Sequence, residues 1–262
     1  MAVSSAALHG PFPVGGAKAI ERVFALAWAG QQEQAIEAAT AALAAKGLTA
    51  QQQIALLELR AESHLATGAL GLAGADAKTM HALAGRKPAL QARAHNCEAQ
   101  VLARRGDANA AVAAATAALK AARQCRQPAL QGLSLLRLAD AQYRTFVGHQ
   151  SALENAANAT AIFERLGDTA HQGRALCVQA MAYSRQSRVA ESQQAAAQAL
   201  ALAQACGDLP GQGNALNLLT YHVADLAVRL KRLNQALAVY KAAGHVLGQG
   251  AVINNLANAY MG

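Results

Sequence analysis

The sequence predicts an all-α fold, an α-α superhelix of about six helix pairs followed by a final helix. Alanine supplies 70 of the 262 residues and aromatic residues only 4%, a composition that favours helices and excludes an all-β sandwich or barrel. Sequence features also recur with a period near 40 residues. Beyond the N-terminal tail, proline occurs only at the boundaries of that period, where a helix can begin without a backbone donor.

The repeat is visible in several residue types. Pro88 and Pro128 are 40 residues apart, and Pro210 follows 82 residues later, about two further periods. The segments GDTAHQG at 167–173 and GDLPGQG at 207–213 are the same loop, one period apart. Glutamine recurs at similar steps, at Gln91, Gln131, Gln172, Gln212 and Gln249.

Each unit is predicted to contain two antiparallel helices joined by a tight turn. Glycine marks this turn, because a positive φ costs glycine little. The predicted turn glycines are Gly30, Gly68, Gly106 and Gly148. Between the turns, apolar residues follow a helical spacing, and the small alanine side chain allows adjacent helices to approach closely. One pair cannot bury its apolar face alone, so neighbouring units must cover it.

The predicted elements follow from these boundaries. Residues 1–16 are expected to form a flexible tail, and residues 17–262 a single solenoid domain. The predicted pairs are 17–29 with 31–46, 49–67 with 69–84, 88–105 with 107–124, 128–147 with 149–166, 169–186 with 189–206, and 209–230 with 232–244, before a lone helix at 246–261. That last helix is either a terminal cap or the start of a seventh unit in a longer protein, and both interpretations stay open.

The units resemble the tetratricopeptide repeat, in the 40-residue variant known from bacterial signalling proteins and transcription regulators. The resemblance covers residues 17–262, although the usual early tryptophan is absent. The matching positions include Leu26, Gly30, Ala35, Ala42 and Leu43 in the first unit, Leu102, Gly106, Ala111, Ala118 and Leu119 in the third, and Ile253, Leu256, Ala257 and Tyr260 in the last. The resemblance implies a scaffold that binds another protein, with ligand contacts from the first helix of each pair.

Carried over unit by unit, the resemblance implies a peptide-binding groove on the concave face. Its residues are Arg93, Asn96, Gln100 and Arg104 in the third unit, Ser134, Arg137 and Arg144 in the fourth, Arg174, Met181 and Arg185 in the fifth, Asn214, Asn217 and Tyr221 in the sixth, and Asn254 and Asn258 in the last. This set is basic and poor in carboxylates. Arginine can hold a carboxylate with two parallel hydrogen bonds, and asparagine can bind a peptide backbone. An extended acidic peptide or partner segment is therefore the expected ligand.

The charge and the cysteines agree with an intracellular binding protein. The net charge is +8, and all of the excess lies between residues 86 and 188. This excess either favours acidic partners or serves solubility. No secretory signal or membrane span is recognisable, so a cytoplasmic protein is expected. The four cysteines form no CxxC pair and are expected to be small buried thiols, not zinc ligands or disulfides.

The sequence shows no catalytic motif, so neither an enzyme nor a cofactor is expected. No metal site is expected either, because His64, His95 and His222 have no histidine or carboxylate partner four residues away. Asp107, Asp168 and Asp208 are interpreted as helix N-caps. Nucleic acid is disfavoured as a partner, since few aromatic residues could stack on bases.

Two alternatives to a peptide-binding scaffold stay open. The chain could self-associate through its end helices. It could instead be the sensor segment of a larger signalling enzyme, such as a nucleotide or diguanylate cyclase or a kinase. The partner's identity does not follow from the sequence.

Overall fold

The structure is a computed structural model that describes residues 14–145 and 147–261. In these ranges the chain forms thirteen α-helices and no strand. In chain order they are α1 (Val14–Trp28), α2 (Gln32–Leu43), α3 (Ala50–Thr67), α4 (Leu70–Ala84), α5 (Pro88–Arg105), α6 (Ala108–Cys125), α7 (Pro128–Tyr143), α8 (His149–Leu166), α9 (Thr169–Arg185), α10 (Val189–Cys206), α11 (Leu209–Leu218), α12 (Leu226–Ala242) and α13 (Val246–Met261).

The predicted all-α superhelix is confirmed, and the first five pairs begin and end within four residues of their predicted bounds. Part of the predicted N-terminal tail, residues 1–13, lies outside the described residues. Helix α1 already begins at Val14, so the prediction that residues 14–16 belong to a tail is wrong. Three turn glycines have the expected positive φ, but Gly148 does not, since its φ is −88°.

The sixth pair differs most from its prediction. Helix α11 ends at Leu218 instead of residue 230, and α12 begins at Leu226 instead of residue 232. The hydroxyl of Thr220 donates a hydrogen bond to the carbonyl oxygen of Asn217 at 2.6 Å, and His222 adopts a φ of 62°. The Asp225 side chain then caps the new helix. Polar side chains therefore end and restart the helix where no glycine or proline marks a break.

The helices form two layers. The odd-numbered helices pack against one another along an inner layer, whereas each even-numbered helix packs between its two neighbours in sequence. Alanines make this close packing possible; Ala35, Ala111 and Ala196 are fully buried. Phe163 of α8 is the largest fully buried side chain of the described residues, in a core shared by the third, fourth and fifth pairs.

The superhelix closes on itself. Inner helix α13 packs against inner helix α3, which precedes it by five pairs. The side-chain amide of Gln32 donates a hydrogen bond to the carbonyl oxygen of Ala243 at 3.1 Å. The turn at Gly30 lies so close to this segment that an added Cβ would be 2.2 Å from the Ala242 oxygen. The inner layer therefore lines a central channel, and the first and last units of the superhelix touch.

No helix in the described ranges is both long enough and apolar enough to cross a membrane.

Candidate functional site

The inner face of the superhelix carries most of the predicted groove residues. The third-unit positions differ in exposure along α5: Arg93 and Asn96 are buried, Gln100 is half-buried and Arg104 is exposed. The amide of Asn96 makes no hydrogen bond to any described residue. Two positions lie in the packed interior instead, since Ser134 is fully buried and Met181 packs against core residues.

Carboxylates of neighbouring inner helices pair with several of the predicted arginines. Arg93 forms a buried ion pair with Glu58 of α3. Arg137 lies 3.6 Å, Nη2 to Oε1, from Glu62, also on α3. Burial lowers the pKa of Arg137, and Glu62 acts in the opposite direction. These contacts connect the second unit to the third and fourth across the inner face.

The fourth and fifth units hold two further ion pairs. Arg144 binds Asp140, one turn earlier on α7, at 3.1 Å. Arg174 donates from Nε and Nη2 to the two oxygens of Asp208, at 2.9 and 3.1 Å. The predicted set itself contains no carboxylate, but acidic residues outside the set bind four of its arginines.

Asp208 is the most enclosed of these carboxylates, with only 1% of its surface exposed. Burial alone would raise its pKa, but the Arg174 guanidinium holds the pKa below its usual range. Asp208 precedes α11 as predicted, yet its side chain forms no helix-cap hydrogen bond. The predicted caps Asp107 and Asp168 are confirmed, since each accepts a hydrogen bond from the backbone three residues later.

Two inner-face arginines, Arg104 and Arg185, form no ion pair with a described carboxylate. The charge of Arg104 lowers the pKa of His245, the residue before α13, after the larger effect of burial. The guanidinium of Arg185 lies 5.5 Å from the centre of the Tyr143 ring. Four of the six predicted arginines therefore pair with carboxylates, and two do not.

The predicted asparagines and Tyr221 lie towards the C-terminal end of the channel. Asn214 accepts a hydrogen bond from the Tyr240 hydroxyl at 2.6 Å, and Asn217 accepts one from Asn255 at 2.8 Å. Asn254 and Asn258 are exposed on α13. A cavity of about 370 Å³ opens here, lined by Ser184, Thr220, Tyr221, His222, Arg229, Leu233, Asn255, Asn258 and Ala259.

Burial and neighbouring charges give this end of the channel its electrostatic character. Burial raises the pKa of Tyr221, so its hydroxyl stays protonated as a hydrogen-bond donor at neutral pH. The charge of Arg185 acts against burial and lowers this pKa. The hydroxyl of Ser184, one residue before Arg185, is 2.8 Å from Nε2 of His222. The cavity therefore offers polar groups and Arg229, near Arg185, and neither arginine has an ion pair with a described carboxylate.

Among the histidines, His95 does have neighbours that could share a metal ion, although none of them is four residues away in the sequence. His95 lies beside Glu98 on α5 and His81 on α4. The proximity of His81 was not predictable from sequence spacing, because His81 belongs to the preceding helix pair. The cysteines are free thiols as predicted, but only Cys97 and Cys177 are buried.

No protein-family model and no curated protein sequence matches this chain. Solved structures do match it. The Rap protein in complex with competence and sporulation factor aligns with a TM-score of 0.67 and 11% identity, over 94% of this chain and 70% of the Rap chain. A Signal Transduction ATPase with Numerous Domains from Pyrococcus horikoshii, which has a tetratricopeptide repeat sensor, aligns with a TM-score of 0.57 and 14% identity.

That second alignment covers 94% of this chain but only 41% of the ATPase, so the chain spans less than half its length. At these identities the likeness concerns the fold alone. The predicted resemblance to the tetratricopeptide repeat is confirmed at that level, because the chain folds as a helical-repeat solenoid of the same kind.

Proposed function

We propose that this chain is a protein-interaction module that binds an extended acidic segment of a partner protein along the inner face of its superhelix. One observation carries the proposal: four of the six predicted arginines bind carboxylates of the chain, whereas Arg104 and Arg185 have no ion pair with a described carboxylate. An acidic segment would supply the missing partners.

The four ion-paired arginines have a different role in this proposal. Arg93, Arg137, Arg144 and Arg174 already bind carboxylates, so a ligand would have to compete for them. They position the inner helices, whereas Arg104 and Arg185 are available to a ligand. Exposed ion pairs contribute about 0.2–1 kcal/mol each, so useful affinity also needs the amides and the C-terminal cavity.

The C-terminal cavity fits one side chain of such a segment. Its volume of about 370 Å³ and its mixed apolar and polar lining suit a side chain that both packs and forms hydrogen bonds. The charge of Arg185 acts on Tyr221, which lines this cavity. We therefore place a carboxylate of the ligand at Arg185 and the neighbouring side chain in the cavity.

A charge-reversal experiment tests the proposal. The double variant Arg104→Glu plus Arg185→Glu changes the two available arginines, while Lys120→Glu plus Arg123→Glu makes the same charge change on exposed positions of outer helix α6. Binding of a pool of Glu-rich peptides is measured by fluorescence anisotropy. A matched pool with Gln in place of Glu serves as the neutral control.

We expect the inner variant to weaken binding of the acidic pool at least about tenfold, a loss of about 1.4 kcal/mol. The outer variant is expected to bind like the unmodified chain. Added salt should weaken the wild-type interaction more than that of the inner variant. Equal binding of the acidic and neutral pools, or equal losses in the two variants, would refute the proposal.

A sensor role within a larger signalling protein uses the same surface. The observation that favours it is the structural match to a tetratricopeptide repeat sensor that forms part of a longer chain. Reading the coding sequence beyond residue 262 tests it, since a catalytic domain there would support a sensor and a stop codon would remove it. All four cysteines are free thiols, which supports a reducing compartment such as the cytoplasm for either role.

A further inference from the structure

Three side chains of types that bind metal ions converge between the second and third helix pairs. Nε2 of His81, in the last turn of α4, lies 2.9 Å from Oε2 of Glu98 on α5. Nδ1 of His95, one turn before Glu98, lies 3.3 Å from the same oxygen. The three ligand atoms lie within 4.8 Å of one another.

These distances are close to those of a zinc coordination sphere. Zinc binds imidazole nitrogen at about 2.0–2.1 Å and carboxylate oxygen at about 2.0–2.2 Å, so ligand atoms in a tetrahedral site are about 3.3 Å apart. Of the two nitrogen-to-oxygen distances at Glu98, that of His95 equals this value at 3.3 Å, and that of His81 is shorter at 2.9 Å. Small side-chain rotations would make room for the ion without moving either helix.

The backbone under the three ligands is held by the core. Met80 and Ala94, the residues before His81 and His95, are fully buried in one apolar cluster. Cys97, the residue before Glu98, is buried in the same cluster. Because each ligand is next to a buried residue on a packed helix, the backbone positions are fixed before any ion binds, which lowers the entropic cost of binding.

Solvent can reach the ligands. The side chains of His81, His95 and Glu98 are 32%, 30% and 39% exposed. A metal could therefore enter without unfolding of the helices, and a fourth position would remain open to water. The same partial exposure means that substitutions here should leave the fold intact.

We propose that His81, His95 and Glu98 form a binding site for a divalent cation of the zinc class. Two imidazoles and one carboxylate favour zinc over magnesium or calcium, which prefer oxygen ligands only. Each imidazole binds through a nitrogen that carries no proton, so the ring proton moves to the other nitrogen by exchange with water. The bound ion connects α4 to α5 and thereby crosslinks the second helix pair to the third.

Zinc alone is the probe in the test. The full chain is titrated with zinc chloride by isothermal titration calorimetry, and Co²⁺ replaces zinc for visible spectroscopy of the coordination geometry. The variants are His81→Gln and His95→Gln. His149→Gln is the matched control, because His149 is also half-buried on a helix but lies outside the cluster.

We expect one equivalent of zinc to bind to the wild type and to His149→Gln. Loss of one of three protein ligands should weaken binding at least tenfold in His81→Gln and in His95→Gln. Zinc should also raise the melting temperature of the wild type and the control, but not that of a His81→Gln plus His95→Gln variant. Melting without zinc checks that each variant is folded.

Three results would overturn the proposal. The first is no saturable zinc binding by the wild type. The second is binding that both cluster variants retain at wild-type affinity. The third is an octahedral Co²⁺ spectrum that does not change when the two histidines are replaced, since it would place the ion elsewhere.

Discussion

Removal of the Arg174 guanidinium should destabilise the fold through the carboxylate that it leaves behind. Asp208 is 1% exposed, and Arg174 donates two hydrogen bonds to its carboxylate. The variant Arg174→Met keeps most of the alkyl stem but removes the charge and both donors. Asp208 would then be a buried carboxylate without its cation.

The size of the effect follows from this burial. Breaking a buried ion pair on one side costs about 3–5 kcal/mol, because the remaining charge is not compensated. The Arg174 side chain is 28% exposed, so water can partly replace it and the lower end of the range applies, about 3 kcal/mol. The double variant Arg174→Met plus Asp208→Asn should lose less unfolding free energy than the sum of the losses in the two single variants.

The pH dependence gives an independent check. In the wild type Arg174 holds the pKa of Asp208 low, so the pair stabilises the fold at neutral pH and this contribution is lost as the pH falls through the lowered pKa. Without Arg174, burial raises the pKa of Asp208, and the carboxyl can take up a proton at mildly acidic pH. The difference in unfolding free energy between wild type and Arg174→Met should therefore shrink as the pH is lowered.

Urea unfolding followed by circular dichroism measures these differences. Glu191→Gln is the control, because it removes an ion pair with Arg188 in which both side chains are more than two fifths exposed; it should leave the unfolding free energy unchanged within error. A loss below about 1 kcal/mol in Arg174→Met, or a loss that does not change with pH, would refute the reasoning.

Three further predictions concern the closure and the core. Burial lowers the pKa of His245 to about 4, so the folded state keeps this ring neutral while the unfolded chain binds a proton below about pH 6.5. The free energy of unfolding should therefore fall by up to about 3 kcal/mol between pH 6.5 and 4. In urea titrations, His245→Gln should reduce this dependence on pH. Gly30→Ala adds a Cβ at a φ of 80°, 2.2 Å from a backbone oxygen of the 242–244 turn. It should lower the free energy of unfolding by at least about 1 kcal/mol and speed hydrogen exchange in the last helix. Gly71→Ala, with open space around its Cβ, should have neither effect. Phe163→Ala removes the largest fully buried side chain of the described residues and should cost about 3–5 kcal/mol in calorimetry or urea unfolding; a loss near that of a surface substitution would contradict the assigned core.

The sequence predicts the repeat architecture because its signals are local. Proline at a helix start and glycine at a turn act within a few residues, and they place five helix pairs within four residues of their observed bounds. The sixth pair was predicted wrongly because its break between Leu218 and Leu226 depends on the Thr220 hydroxyl and the Asp225 cap. These polar residues are common inside helices, so they give only a weak signal in the sequence.

The closure of the superhelix was not predictable in this way. Each unit adds a small rotation to the stack, and the sum of these rotations decides whether α13 meets α3. No single motif encodes that sum. The structure shows why Gly30 has no side chain at the closure: the carbonyl group of Ala242 occupies the adjacent space.

The inner-face arginines could be named from the sequence, but their environment could not. Glu58 precedes Arg93 by 35 residues, and Glu62 precedes Arg137 by 75 residues. Such pairs depend on how neighbouring units stack, whereas the predicted groove residues were assigned within each unit separately. The positions of Glu58 and Glu62, four residues apart on one helix, were the available signal that an acidic row faces the same channel.

The central claim is that a partner segment lies along the inner face, and site-specific photo-crosslinking tests it most directly. A photoreactive amino acid is placed at Gln100 on inner helix α5 or, as the matched position, at Lys120 on outer helix α6. The Glu-rich peptide pool is then added and irradiated. We expect crosslinks from position 100 that excess unlabelled peptide removes, and none from position 120. Crosslinks from the outer position alone would contradict the account.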